Sequence, residues 1–269
     1  MESSQSTFKL IKLFHHSVWS IKKNIYRQWK MGPWYQRYYH LDKIKWRVKG
    51  NHAGAAKPQL PSKGVVAITC SAYYTEVLEI VIRENSSFFD KWIIVTDPKD
   101  IDTVNLLKKH PEIITLLFDF TSRGNGFNKG GGIRLAQKYA YENYPNQWYL
   151  ILDSDICIRS SKPIDKLEKL ESEAIYLCND RRNFKKLSDF RQGVNFEQFL
   201  GDVRAGFFQL YRKKYFYIDW PTAGRSDIAF ANDFSDIRVL RDLSCDHLGE
   251  PENYDGKNGP RFLIDESRD

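Results

Sequence analysis

The chain has 269 residues, 42% of them hydrophobic and 14% aromatic, which is enough apolar material for one sizeable α/β domain and excludes a disordered chain. Its formal charge of +7 is unevenly placed. Residues 1–63 carry 13 Lys and Arg against Glu2 and Asp42, a net +11, whereas residues 64–269 carry 28 against 32 acids, a net −4. The basic character therefore belongs to one segment, and a mildly acidic body speaks against a nucleic-acid-binding protein.

Between Phe8 and Lys30, the residues Ile11, Phe14, Val18, Ile21, Ile25 and Trp29 recur every three or four positions. That spacing predicts an amphipathic helix, with Lys9, Lys12, His16, Lys23, Arg27 and Lys30 on the opposite face. Such a helix suits either an anionic membrane surface or a protein partner. Met31-Gly32-Pro33 ends it, and the aromatic and basic stretch Trp34 to Arg47 predicts a second short helix. Gly50 to Lys63 reads as a linker, so the expected division is an extension over residues 1–63 and a domain over 64–269.

From Gly64 the pattern becomes short apolar runs alternating with helical stretches. Strands are expected at Val65–Thr69, Trp92–Thr96, Ile113–Phe118 and Trp148–Leu152, and helices at Thr75–Asn85, Asp102–His110 and Gly131–Glu142. This alternation predicts an α/β fold with a mostly parallel central sheet flanked by helices, in which ligands bind beyond the carboxyl ends of the strands. The cysteines Cys70, Cys157, Cys178 and Cys245 are widely separated and form no C-x-x-C pair, which fits a reducing compartment. No run approaches the roughly 18 apolar residues of a membrane span. The expectation is a cytoplasmic protein, soluble or peripheral on a membrane face.

Chemistry concentrates after the run Trp148-Tyr149-Leu150-Ile151-Leu152, which delivers Asp153-Ser154-Asp155. On a pleated chain, acids spaced by two point to one side, where a divalent cation relieves their repulsion. Mg2+ or Mn2+ takes one or two such carboxylates together with phosphate oxygens and water. Upstream, Arg123-Gly124-Asn125-Gly126-Phe127-Asn128-Lys129-Gly130-Gly131-Gly132 precedes a helix. It suits either anionic oxygens, with Arg123, Lys129 and Arg134 nearby, or a flexible loop. It matches neither a Walker A loop nor a dinucleotide-binding fingerprint.

Asn128-Lys129-Gly130-Gly131-Gly132, a helix, and a strand ending in Leu152-Asp153-Ser154-Asp155 together resemble the layout of GT-A glycosyltransferases of the family 2 type, over about Val65 to Tyr254. The resemblance implies transfer of a sugar from a nucleotide diphosphate, UDP above others, to a glycan or other hydroxyl acceptor. It implies Thr69, Cys70, Ser71 and Asp97 around the nucleoside, with Asn128, Lys129, Arg134, Asp153, Ser154 and Lys257 as further donor contacts. Lys257 lies in Asn253 to Lys257, which looks like a closing loop; Arg261 is a second cation near it.

The same resemblance places Asp155, Asp153 and His247 at the metal. Gly206 begins a strand beside the acceptor. Asp227 stands where inverting members carry an acidic pair, here with Ser226 before it, and is the candidate base; the alternative is a helix N-terminal acid. A retaining transferase and a non-catalytic sugar- or nucleotide-binding module remain alternatives. A nucleotidyltransferase would place a glycine-rich basic loop directly after the first strand, where this chain has Cys70-Ser71-Ala72-Tyr73.

Overall fold

The computed structural model of the chain describes residues 64–122, 127–160, 164–200, 206–217, 223–249, 262 and 264–265. The helix expected between Phe8 and Lys30, the stretch Trp34 to Arg47, the linker, Arg123, Lys257 and Arg261 lie outside the described residues.

In chain order the elements are β1 (Val65–Cys70), α1 (Thr75–Asn85), β2 (Lys91–Thr96), α2 (Ile101–Lys108), β3 (Ile113–Leu117), α3 (Lys129–Asn143), β4 (Trp148–Leu152), β5 (Ile156–Ser160), β6 (Ala174–Leu177), β7 (Asp180–Phe184), α4 (Leu187–Gln192), β8 (Glu197–Leu200), β9 (Phe208–Tyr211), α5 (Ala223–Asn232), β10 (Asp236–Val239) and β11 (Ser244–Leu248). Seven strands form a central sheet in the order β10-β6-β9-β4-β1-β2-β3. It is mostly parallel, as expected: within this sheet only β9, among the described strands, runs antiparallel to the rest, pairing with β4 and β6.

Every residue of β1 and β4 is buried, which is why both read as unbroken apolar runs rather than alternating ones. The pleat divides them between the two faces of the sheet. Val66, Ile68, Ile93, Val95 and Ile151 meet Ile133, Ala136 and Ala140 of α3 on one face, with Phe230 of α5. On the other face Ala67, Trp92 and Ile94 meet Val77, Leu78 and Val81 of α1 and Leu106 of α2. Helices thus cover both faces, and the loops that matter emerge at the carboxyl ends of β1, β2 and β4.

A second sheet, β5-β11-β7-β8, was not anticipated from the sequence. Its strands are short, and β7, Asp180-Arg181-Arg182-Asn183-Phe184, is polar enough to read as a solvated loop. Asn85 at the end of α1 joins the two layers: its amide donates to the Ile156 carbonyl at 2.7 Å and accepts from the Ile158 amide at 2.9 Å. That pair of bonds satisfies a buried polar side chain and fixes the strand that begins immediately after Asp155. Among the described residues, no helix is long and apolar enough to cross a membrane.

The start of α3 packs so closely that side chains are excluded. A Cβ on Gly132 would lie 2.7 Å from the Phe120 ring and 2.9 Å from the Cys70 sulfur, and one on Gly131 2.6 Å from the Phe118 ring. These glycines let the helix N-terminus approach the ends of β1 and β3. Gly132→Val is therefore expected to destabilise the fold by roughly 1–3 kcal/mol, the usual cost of overpacking, as measured by urea denaturation.

Candidate active site

The head of α3 is set by Asn128, whose side-chain oxygen accepts from the Gly131 amide at 2.9 Å and caps the helix. Lys129 follows at the first helical position, where the macrodipole disfavours a cation. Two carboxylates more than compensate: its ammonium lies 2.6 Å from Asp153 Oδ1 and 3.5 Å from Asp227 Oδ1. The side chain is only 13% exposed. Burial works against its charge, but Asp153 and Asp227 outweigh that and hold Lys129 above the ordinary lysine range. It is protonated throughout the physiological range.

Asp153 follows β4, and its amide donates to the Phe207 carbonyl at 3.1 Å, which continues the pairing of β4 with β9 for one step. Burial pushes its carboxyl up to about 6; the Lys129 ammonium opposes the rise, and Asp227 and Asp155 add to it. The pleat does not carry on to Asp155. The chain turns between β4 and β5, with the Ile156 amide donating to the Asp153 carbonyl at 3.3 Å. The two acids consequently make different contacts: Asp153 meets Lys129, while Asp155 Oδ2 lies 3.4 Å from His247 Nε2. Ser154, between them, is half-buried.

His247 is the penultimate residue of β11, and the Leu248 amide that follows it donates to the Asp155 carbonyl at 2.8 Å. The ring is 4% exposed and, among the described residues, its Nδ1 has no hydrogen-bond partner. The parity of β11 sends Cys245 and His247 to one face and Asp246 to the other, where Arg182 grips it with two bonds of 2.7 and 2.8 Å.

Asp227 lies in the second turn of α5, past the helix terminus, so it is not an N-terminal acid of that helix. Its Oδ1 accepts from the Tyr217 hydroxyl, and its main-chain carbonyl accepts from Gln209 Nε2 at 3.0 Å. A Cβ on Gly206 would overlap the Asp227 carboxyl, so glycine is required for close approach there. Tyr217 and Gln209 are the contacts that sequence reasoning missed. Gln209 left a trace, a lone amide inside the apolar run Phe207-Phe208-Gln209-Leu210; Tyr217 left none.

The residues expected around a nucleoside lie at the ends of β1 and β2. Thr69 is buried, and its hydroxyl accepts from the Trp92 indole at 3.0 Å. Cys70 packs against the head of α3, its sulfur 3.8 Å from the Lys129 carbonyl, and burial pushes its thiol up. Ser71 is buried, and among the described residues its hydroxyl has no partner. Asp97 is buried beyond β2, and its carboxylate accepts from the Lys99 amide at 2.9 Å. Arg134 is exposed and lies over the Phe216 ring at 5.6 Å.

Among the described residues no three acids, histidines or cysteines converge into a ready metal cluster. The pair Asp155 and His247 nevertheless fits a cation that its ligand completes. Neighbouring donors on one octahedral ion with bonds near 2.1 Å sit about 3 Å apart, close to the separation seen. One oxygen and one imidazole nitrogen suit Mn2+ better than Mg2+, which prefers oxygen alone.

No family model matches the chain, and no curated protein matches its sequence. Among solved structures, it is similar to 4-diphosphocytidyl-2C-methyl-D-erythritol synthase, with a TM-score of 0.41 and 14% identity over 71% of this chain and 96% of that one. It is also similar to mannosyltransferase PcManGT from Pyrobaculum calidifontis in complex with GDP-Man and Mn2+, with a TM-score of 0.45 and 12% identity over 82% of this chain and 65% of that one. A third is the galactosyltransferase LgtC in complex with donor and acceptor sugar analogs, with a TM-score of 0.40 and 11% identity over 69% of this chain and 87% of that one.

In the metal-free protein, Lys129→Met removes the charge that opposes protonation of Asp153. The Asp153 carboxyl, already raised by burial, should titrate at a higher pH in that variant than in the wild type when followed by 13C NMR.

Proposed function

We propose that the chain is a glycosyltransferase of the GT-A type that moves a sugar from a nucleotide diphosphate, with UDP the favoured nucleotide, to a hydroxyl on a glycan or other acceptor. One observation supports this above the rest: Lys129, Asp153 and Asp227 meet as a trio and Asp155 and His247 as a pair, and the two groups join through the turn that follows β4.

Asp155 and His247 would hold a divalent cation, Mn2+ or Mg2+, and Asp153 would face it or the ribose. Bound there, the cation supplies charge neutralisation and Lewis acidity at the diphosphate. Lys129 is a buried, permanently charged ammonium at the head of α3, where it can orient phosphate oxygens. Asn128 fixes that turn, and Ser71 and Asp97 offer polar groups for the nucleoside, with Thr69 and Cys70 supporting the wall behind them. Ser154 and Lys257 complete the donor contacts under this reading.

Asp227 is the candidate base. Tyr217 fixes its side-chain torsion, Gln209 anchors its backbone and Gly206 gives its carboxyl room. In an inverting transfer it takes the proton of the acceptor hydroxyl as that oxygen attacks the anomeric carbon and the bond to the nucleotide phosphate breaks. The leaving nucleotide keeps the bonding electrons.

A panel of nucleotide sugars assayed with Mn2+ tests the reading; no turnover of any donor would reject it. Asp155→Asn should lower turnover by about 10²–10³-fold, a loss typical of removing charge stabilisation. Asp227→Asn should lower it by about 10²–10⁴-fold with little change in donor affinity. By isothermal titration, Mn2+ should bind weakly alone and more tightly with a nucleoside diphosphate, since two protein donors leave the coordination shell to be completed.

A further inference from the structure

Arg181 is 5% exposed, yet among the described residues its guanidinium forms neither a hydrogen bond nor an ion pair, and its Nε is buried with no partner. Its charged carbon lies 4.5 Å from the Phe199 ring and 4.9 Å from the Phe207 ring. Aromatic faces offset part of a buried cation's lost hydration but supply no counter-charge. Two residues along the same strand, Asn183 is 3% exposed, and among the described residues neither its amide oxygen nor its amide nitrogen has a partner. Buried polar groups are normally bonded, and two such residues on one face of a short strand call for an occupant.

The face is defined by register. Arg181 pairs with Cys245 and Asn183 with His247, so both side chains project to the same side of the small sheet as the candidate metal ligand. Asp246 and Arg182 are on the opposite side and satisfy each other. Glu197, opposite Asn183 on β8, is exposed and bonds to neither residue. Phe207, against which Arg181 lies, gives its carbonyl to the Asp153 amide and follows Gly206, the residue in contact with Asp227.

We infer that Arg181 and Asn183 form a recognition site for an anionic acceptor, a sugar carrying a carboxylate or phosphate. The guanidinium fork would take two oxygens of the anion, and Asn183, about 7 Å further along the strand, can both donate to and accept from a hydroxyl of the same monosaccharide. Calling the ligand an acceptor rests on the proposed transfer reaction, because Phe207 joins this site to the Asp227 side of the catalytic centre. The anion site itself does not depend on that reading.

The test uses the full chain and a panel of hexuronic acids, hexose 6-phosphates and the parent neutral hexoses. Binding is read by titration and by the 15N–1H signal of Arg181 Nε, assigned by its loss in Arg181→Met. An acidic sugar should bind roughly tenfold or more tighter than its neutral parent and move that signal downfield, and the tighter acid names carboxylate or phosphate as the source. Arg181→Met should abolish the preference. Asn183→Leu should weaken acidic sugars while leaving the preference over neutral ones, which keeps a second variant in play if the first does not fold. No response of Arg181 to any acid, or a preference that survives Arg181→Met, overturns the inference. Turnover of nucleotide sugars without any Arg181 response rejects the anion site alone; an Arg181 response without any donor turnover rejects the transfer reading alone.

Discussion

The site depends on one buried ammonium. Without Lys129, the carboxylates of Asp153 and Asp227 would face each other across a poorly hydrated space with nothing positive between them, and at least one would be driven to take up a proton. With it, the end of β4, the head of α3 and the second turn of α5 are tied at a single nitrogen. The placement is locally unfavourable, a cation at the positive end of a helix, and that local conflict is the kind expected at a working site rather than in a scaffold.

Close backbone approach makes the arrangement possible. Gly131 and Gly132 allow α3 to sit against Phe118, Phe120 and Cys70, which brings Lys129 within reach of β4; Gly206 gives the same freedom to Asp227. The second sheet contributes from the other side. Asn85 holds β5 in place, and the bond from the Leu248 amide to the Asp155 carbonyl locks the turn that carries Asp155 to the strand that carries His247. The two halves of the site therefore belong to two sheets, and a turn of three residues connects them.

Much of the central sheet was legible because both its faces are covered. Fully buried strands such as β1 and β4 appear as unbroken apolar runs, and α1 over Thr75–Asn85 has the bounds its periodicity predicts. The acids that meet at the candidate site could be named from the sequence, but their geometry could not be read there. Spacing by two suggested one shared direction, whereas the turn after Leu152 sends Asp153 to Lys129 and Asp155 to His247. The small sheet escaped because its strands satisfy polar side chains internally: Arg182 and Asp246 are partners 64 residues apart, and no local pattern reveals such a pair. Tyr217 was invisible for the same reason, since its contact with Asp227 depends on tertiary placement alone.

Register, more than composition, decides what the small sheet can do. β7 carries Arg181 and Arg182 side by side, and the pleat sends them to opposite faces. Arg182 meets Asp246 and becomes a closed, bidentate ion pair that needs nothing further. Arg181 meets Cys245 in register and two aromatic rings, none of which carries a charge to balance it. A slip of one residue would exchange the two arginines, placing Arg182 on the face of His247 and Arg181 against Asp246. The bridge between Arg182 and Asp246 thus holds the sheet in the register that leaves Arg181 without a carboxylate, so the unbalanced cation is a consequence of how the strands pair and not of a shortage of acids in the chain.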